Sequence, residues 1–322
     1  MKTAILGAGA MGALIGSNLH KGGAEVWLVD PFEAHMNKIR NEGLKMYVNE
    51  NGQKREESVV MNAVTKAEDV GVCEVVIVLV KGMYTASAVE GARALFDDDT
   101  LILTFQNGIG NADTLAEIFA PERIGFGVLN LASVLKGPGE IFVNYSTNTP
   151  NSNIYFYSNS PVQEKKCLVM RDIIRRGGFL CEYTDRAEEF IWQKLIINAF
   201  VNLTCGLTRL TMGQFFDQED GRALQQGILK ELIAVAGAKG IEMDYDQEWQ
   251  KWEKTMAPLS PSRDHYPSAT QDVFNCRKTE ADFLNGAICR EGRKRGIATP
   301  INDTIVQLAH VLENTYDLQY GR

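Results

Sequence analysis

The sequence is short of the residues that staple small secreted domains or cage metals. Its six cysteines (Cys73, Cys167, Cys181, Cys205, Cys276, Cys289) form no CxxC pair, and its four histidines (His20, His35, His265, His310) lie far from them. No metal-ligand spacing results, so no metal is expected, and the thiols read as small hydrophobes in a reducing cytoplasm. Positive charge is also scarce. Lys and Arg number 33 against 41 Asp and Glu, a net charge of -8, which gives no general attraction for phosphate backbones or anionic lipid. Nucleic-acid and membrane partners are therefore not expected. The longest nearly apolar stretch, around Val75 to Val80, falls far short of the ~18 to 20 residues that span a bilayer. Met1-Lys2-Thr3 runs at once into a short strand and a glycine turn, unlike a secretory signal. Repeats, low-complexity tracts and Pro-rich or Ser-rich linkers are absent as well.

What is present is ordinary globular chain: 322 residues, 45% hydrophobic and 23% charged, enough for about two domains at ~150 residues each. Up to about residue 184 the pattern alternates strand and helix. Strands are expected at TAIL (3 to 6), EVWLV (25 to 29), EVVIVLV (74 to 80) and TLILTF (100 to 105). Helices are expected near 11 to 22, 32 to 42, 83 to 95 and 111 to 118. That alternation implies a mainly parallel sheet with crossover helices. Residues 122 to 157 look strand-rich, with Gly-Pro-Gly at 137 to 139 as a turn and NIYFY (153 to 157) as a late or edge strand. A helix around 161 to 176 and a strand at 179 to 183 close this half. From Asp185 the texture becomes helical, near 186 to 205, 217 to 239, 245 to 256, 271 to 295 and 301 to 315. The expected organisation is an α/β dinucleotide-binding domain over 1–184 and a mostly α-helical substrate and catalytic domain over 185–322.

The first half carries its chemistry at the start. Gly7-Ala8-Gly9-Ala10-Met11-Gly12 matches GxGxxG directly after a strand and opens a helix. In a Rossmann-type, doubly wound domain the first glycine permits the turn and the second admits a pyrophosphate. The third lets helix and strand pack closely, while helix N–H groups face the phosphates. Asp30 ends the next strand, where an acid bonds the adenosine ribose hydroxyls. A carboxylate there would repel a 2'-phosphate and so argues for NAD over NADP. Asp30 could equally cap a helix whose first residue is Pro31. Lys81 and Asn107 follow two further strands, at the end of a parallel sheet where ligands bind. On position alone, a solvated lysine and an Asn-Gly turn explain them as well.

The second half carries a polar row on an apolar helix: Lys194, Asn198 and Asn202 in WQKLIINAFVN. Steps of four drift by only ~40° and rise ~6 Å, so an ammonium and two carboxamides share one stripe. Buried polar groups of this kind need partners, and a polar small substrate would supply them. A solvated helix face is the competing explanation, weakened by the single charge over 191–207. Reduction of a carbonyl forms an alkoxide that must be protonated, and a partly desolvated lysine has the lowered pKa that suits the task.

Taken together, GAGAMG, VLVKGMYT with Lys81, QNG with Asn107, WQKLIINAFVN, PSATQDV (267 to 273) and TEADFLNG (279 to 286) make the chain resemble the ketopantoate reductases over essentially its whole length. The resemblance implies NADPH-dependent reduction of 2-dehydropantoate to (R)-pantoate, on the way to pantothenate, in a cleft between a Rossmann domain and a helical domain, often in a homodimer. It implies Lys194 as proton donor, and Asn107, Asn198, Asn202 and Ser268 as substrate ligands. Gly7, Gly9, Ala10, Met11, Gly12, Asp30, Lys81, Asn107 and Glu280 would bind the cofactor. Read on their own, Ser268 would be a loop or N-cap serine and Glu280 a helix-surface acid. Three positions depart from the usual family pattern: Asp30 in place of a basic residue, Leu203 in place of proline, and Ala269 in place of methionine. The run Asp-His-Tyr-Pro-Ser (264 to 268), together with Asp30, resembles an NAD-dependent D-2-hydroxyacid dehydrogenase branch acting on branched or aromatic 2-oxo acids. A catalytically silent dinucleotide sensor is the reading from another class, and the intact Lys194, Asn198, Asn202, Ser268 and Glu280 weigh against it.

Overall fold

The computed structural model describes residues 1–145, 151 and 153–319. It divides into two compact units: Met1–Gln106 with Asn111–Phe190, and Asn107–Gly110 with Ile191–Arg322. The four residues Asn107–Gly110, which the sequence pattern groups with the first domain, pack with the second unit.

The first unit follows the alternation in the chain. β1 (Lys2–Leu6), α1 (Ala10–Lys21), β2 (Glu25–Val29) and α2 (Glu33–Glu42) come first, followed by β3 (Leu44–Glu50), β4 (Gln53–Val59) and β5 (Asn62–Val64). Next are β6 (Val75–Val78), α3 (Thr85–Gly91), β7 (Leu101–Thr104), α4 (Asn111–Ala116), β8 (Ile124–Leu129), β9 (Ala132–Gly137) and β10 (Glu140–Tyr145). β11 (Ile154–Tyr157), α5 (Glu164–Arg176) and β12 (Cys181–Tyr183) complete it. Eight strands form one sheet in the order β12-β11-β8-β7-β6-β1-β2-β5. All neighbours run parallel except β8 and β11. The two faces alternate along each strand: Ile5, Leu28, Ile77 and Leu103 enter one core, while Ala4, Val29, Val76 and Ile102 enter the other.

Several sequence expectations shift. NIYFY is not an edge strand, because β12 pairs beyond it. The helix expected over 83–95 is α3 flanked by single 3-10 turns at Gly82–Tyr84 and Arg93–Leu95. The strand-rich stretch of 122–157 includes 146–150 and 152, which lie outside the described residues. A second sheet, β4-β3-β10-β9, has no counterpart in the sequence reading. Its strand β4, QKREESV, carries charges on both faces, so the period-2 alternation that marks a half-buried strand is missing. This sheet explains α1, whose residues from Gly12 to Leu19 are all buried. The large sheet covers one side of the helix, and Met46, Val48, Ile141 and Val143 of the small sheet join the same core.

The second unit continues from α6 (Ala187–Thr208) through α7 (Met212–Asp217), α8 (Glu219–Ala238), α9 (Tyr245–Thr255), α10 (Ser268–Phe274), α11 (Asn285–Arg295) and α12 (Pro300–Glu313). The helix expected over 217–239 is α8, separated from α7 by Gln218, which adopts an extended conformation. The one expected over 271–295 is broken between α10 and α11, where Cys276 takes a positive φ of 52° and a 3-10 turn spans Ala281–Phe283. α6 is long and apolar enough to cross a membrane by length and composition, contrary to the Val75–Val80 limit drawn from sequence. Most of its apolar stretch is buried: Trp192, Leu195, Ile196, Ala199 and Phe200 pack with Ile228, Leu232, Trp252 and Ile288. Its low charge is that of a core helix.

Candidate active site

The glycine turn is built from backbone geometry. Gly7 leaves β1 with φ of +94°, a conformation that L side chains rarely adopt. Its N–H donates to the Val29 carbonyl at 3.0 Å, and a Cβ there would strike Val80 after the neighbouring strand β6. A Cβ on Gly12 would overlap the Gly7 carbonyl, whereas one on Gly9, the exposed N-cap of α1, would meet nothing within 4 Å. The three glycines therefore divide the work as the motif requires: turn, approach and close packing. The open space at Gly9, in front of the helix N-terminus, fits a pyrophosphate.

Two side chains hold this turn that the motif does not contain. His35 of α2 is fully buried. Its Nδ1 accepts the Gly139 N–H at 2.8 Å, so Nε2 carries the proton and donates to the Ala8 carbonyl at 3.0 Å. Burial pushes the His35 pKa down, against the bond to Ala8 and the charge of Asp30. Ser133 of β9 donates to the Ala10 carbonyl at 3.1 Å. A lone histidine in an amphipathic helix gives no sequence signal of this role.

Asp30 ends β2 half-buried, and its Oδ1 accepts the Phe32 N–H at 2.9 Å. The helix it was expected to cap starts at Glu33, with Phe32 as N-cap. The side chain therefore closes a turn before α2 and does not bond the helix's own first N–H groups. Lys81 is half-buried beyond β6. Gln106, beyond β7, donates from Nε2 to the Val80 carbonyl at 2.7 Å and to Thr85 Oγ1 at 2.8 Å, tying the ends of β6 and β7 together. β1 and β6 are neighbours from which the strand order departs in opposite directions, the switch point at which open α/β sheets bind ligands.

In the second unit, α6 brings its polar row together with residues far away in sequence. Lys194 Nζ donates to Asn107 Oδ1 at 2.9 Å. Desolvation pushes its pKa down to about 8, while the Glu280 carboxylate pulls the other way. Asn202 is 4% exposed, and its Oδ1 accepts both Ser268 Oγ and the Ala269 N–H at 3.1 Å. It thereby caps α10, which has no side-chain cap of its own. Asn202 Nδ2 donates to the Asn198 carbonyl at 3.2 Å and lies 3.4 Å from Asn198 Oδ1. Asn198 is half-buried and Ser268 exposed. The amide of Asn202 is thus spent on orienting its two neighbours, Asn198 and Ser268. Among the described residues no group of three or more His, Cys, Asp or Glu converges on a metal site.

Residues 3–153 match the family described as ketopantoate reductase PanE/ApbA, and residues 186–313 match its C-terminal counterpart. A 2-dehydropantoate 2-reductase of Lactococcus lactis is 30% identical over 316 residues, covering 97% of this chain and 98% of its own. One from Streptococcus pyogenes is 28% identical, covering 98% and 99%. Among solved structures, a ternary structure of D-mandelate dehydrogenase with NADH and anilino(oxo)acetate superposes with a TM-score of 0.86 at 29% identity, covering 98% of this chain and all of that one. The chain belongs to the ketopantoate reductase family, a family of nicotinamide-dependent oxidoreductases.

Proposed function

We propose that this protein reduces the carbonyl of a 2-oxo acid, with 2-dehydropantoate as substrate and (R)-pantoate as product. The observation that carries the reading is Lys194: a desolvated ammonium with a pKa near 8, held by Asn107 and facing the Glu280 charge, on the helix that also presents Asn198. The dihydronicotinamide, when bound, supplies the hydride to C2. Lys194 hydrogen-bonds the carbonyl oxygen, polarises it and gives its proton to that oxygen as the C2–H bond forms; water then restores the ammonium. Asn198 and Ser268 orient the remaining carboxylate and hydroxyl groups without adding negative charge against an anionic substrate. Gly7, Gly9, Ala10, Met11 and Gly12 would hold the pyrophosphate, with Asp30 at the adenosine ribose and Lys81, Asn107 and Glu280 toward the nicotinamide. In this reading residues 1–184 serve the cofactor and 185–322 the substrate. Five of the six free cysteines are buried thiols, which suits a cytoplasmic enzyme.

A second substrate reading has its own support. Asp30 places a carboxylate where NADP would carry its 2'-phosphate, and the D-mandelate dehydrogenase structure was solved with NADH. An NAD-linked D-2-hydroxyacid dehydrogenase for branched or aromatic 2-oxo acids is the alternative. Oxidation of NADH and NADPH by the purified protein, measured over 2-dehydropantoate, 2-ketoisovalerate and benzoylformate, separates the two. The pantoate reading requires the highest kcat/KM for 2-dehydropantoate, and equal or better turnover of the other acids overturns it.

A further inference from the structure

The surroundings of Lys194 are assembled by two segments 170 residues apart, and one side chain joins them. Asn107 sits on the loop Asn107–Gly110, and Glu280 begins the turn that continues through Ala281–Phe283. Arg290, on α11, donates from Nη2 to the Ile109 carbonyl and from Nη1 to the Asp282 carbonyl, both at 2.9 Å. The Ile109 N–H closes the same junction by donating to the Phe283 carbonyl at 2.9 Å. Gly108 makes the approach feasible. With φ of +83° it lies so close to Phe283 that a Cβ would overlap the Phe283 carbonyl. All of these groups belong to the second unit.

A guanidinium is planar and rigid, and its two amino groups can hold two carbonyls at a fixed separation; an ammonium on a flexible stem cannot. We propose that Arg290 is a positioning residue for the reduction: by bridging Ile109 and Asp282 it locks the Asn107 loop to the Glu280 turn and so sets the place of Lys194 Nζ. This inference rests on the proton-donor reading of Lys194. Displacement of a reacting group by ~1 Å costs up to about 100-fold in rate, so loss of the clamp acts on kcat more than on KM.

The test is a double-mutant cycle combined with hydrogen exchange. Arg290→Met should lower kcat by about 10- to 100-fold and speed amide exchange at Ile109 in the protein without substrate. Arg290→Lys, which keeps the charge and one donor, should recover part of both. In an Asn107→Ala background, where the hydrogen bond through which the clamp sets Lys194 is already gone, Arg290→Met should cost less than about threefold more. Gly108→Ala should reproduce the Arg290→Met phenotype from the other side of the contact. Unchanged exchange at Ile109 overturns the clamp whatever the kinetics. Faster exchange with unchanged kcat, or an equal kcat loss in both backgrounds, overturns the positioning role. Should Arg290→Met fail to fold, Arg290→Lys and Gly108→Ala carry the same two readouts. Full turnover in Lys194→Ala would instead refute the proton-donor reading, with the exchange result still deciding the clamp.

Discussion

The glycine turn after β1 and the polar row on α6 are built by opposite means. The turn is made of backbone: three glycines whose missing side chains create a bend, an opening and a close contact, all within six consecutive residues. The row is made of side chains: Lys194, Asn198 and Asn202 are joined by Asn107, Ser268 and Glu280, which come from three other places in the chain. Local architecture of the first kind tolerates no Cβ where packing is tight, while distributed architecture of the second kind loses function with its fold intact.

The largest expected effect tests the second half of that contrast. Lys194→Ala should reduce turnover by about 100- to 10,000-fold, the usual worth of a positioned general acid, with cofactor affinity and melting temperature close to wild type. In the wild type, the reduction should fall as pH rises through about 8, because the ammonium is the donor. The reverse oxidation, which needs the neutral amine, should rise over the same range. A pH-independent kcat between pH 7 and 9 with a chemical step shown to be rate-limiting would break the assignment.

Next comes the contrast within the turn itself. Gly12→Ala should destabilise the protein by about 1–3 kcal/mol through overpacking, visible as a drop in denaturation midpoint without any ligand. Gly9→Ala, facing open space at a negative φ, should leave stability unchanged and weaken dinucleotide binding about tenfold, or about 1.4 kcal/mol. If titration calorimetry shows Gly9→Ala binding as tightly as wild type, the opening is not where the pyrophosphate lies.

His35 should behave like the turn it supports. His35→Leu leaves the Ala8 carbonyl and the Gly139 N–H without their buried partner, a cost of about 1–3 kcal/mol. The native histidine is neutral, with its pKa held below the ordinary 6.5. The unfolded chain therefore takes up the proton first as pH falls, and the contribution of His35 is present above pH 6.5 and lost below it. Chemical denaturation at pH 7.5 and 5 should show a larger loss in the wild type than in His35→Leu, where His265, whose pKa burial also pushes down, still contributes.

The smallest effect belongs to Asn202. Asn202→Ala removes the cap of α10 and should cost about 0.5–2 kcal/mol of stability, with KM rising more than kcat falls as Asn198 and Ser268 lose their common anchor. A change in kcat alone would mean that Asn202 meets the reacting atoms directly.

The legibility of the molecule follows the same division. β1, α1 and β2 could be read because a buried parallel sheet writes short β-branched runs and its turn requires glycine at fixed spacing. The second sheet could not, because β4 presents charge on both faces and the paired strands β3 and β10 are almost a hundred residues apart. Lys194, Asn198 and Asn202 could be placed on one stripe from helical periodicity, but that Asn202 turns its amide to Ser268 and Asn198 depends on where α10 lies.

By itself, then, the sequence determined the mainly parallel α/β half, the helical half, the glycine turn and the row of candidate ligands, since each rests on spacing within a few turns of chain. Only the tertiary structure decided that His35 grips the Ala8 carbonyl, that Asn107 holds Lys194 and that Arg290 joins the Ile109 and Asp282 carbonyls. Apart from the Arg290–Asp282 bond, which spans eight positions, those bonds link residues 27 to 181 positions apart. Their geometry comes from how the cores pack, and no local pattern of residues encodes it.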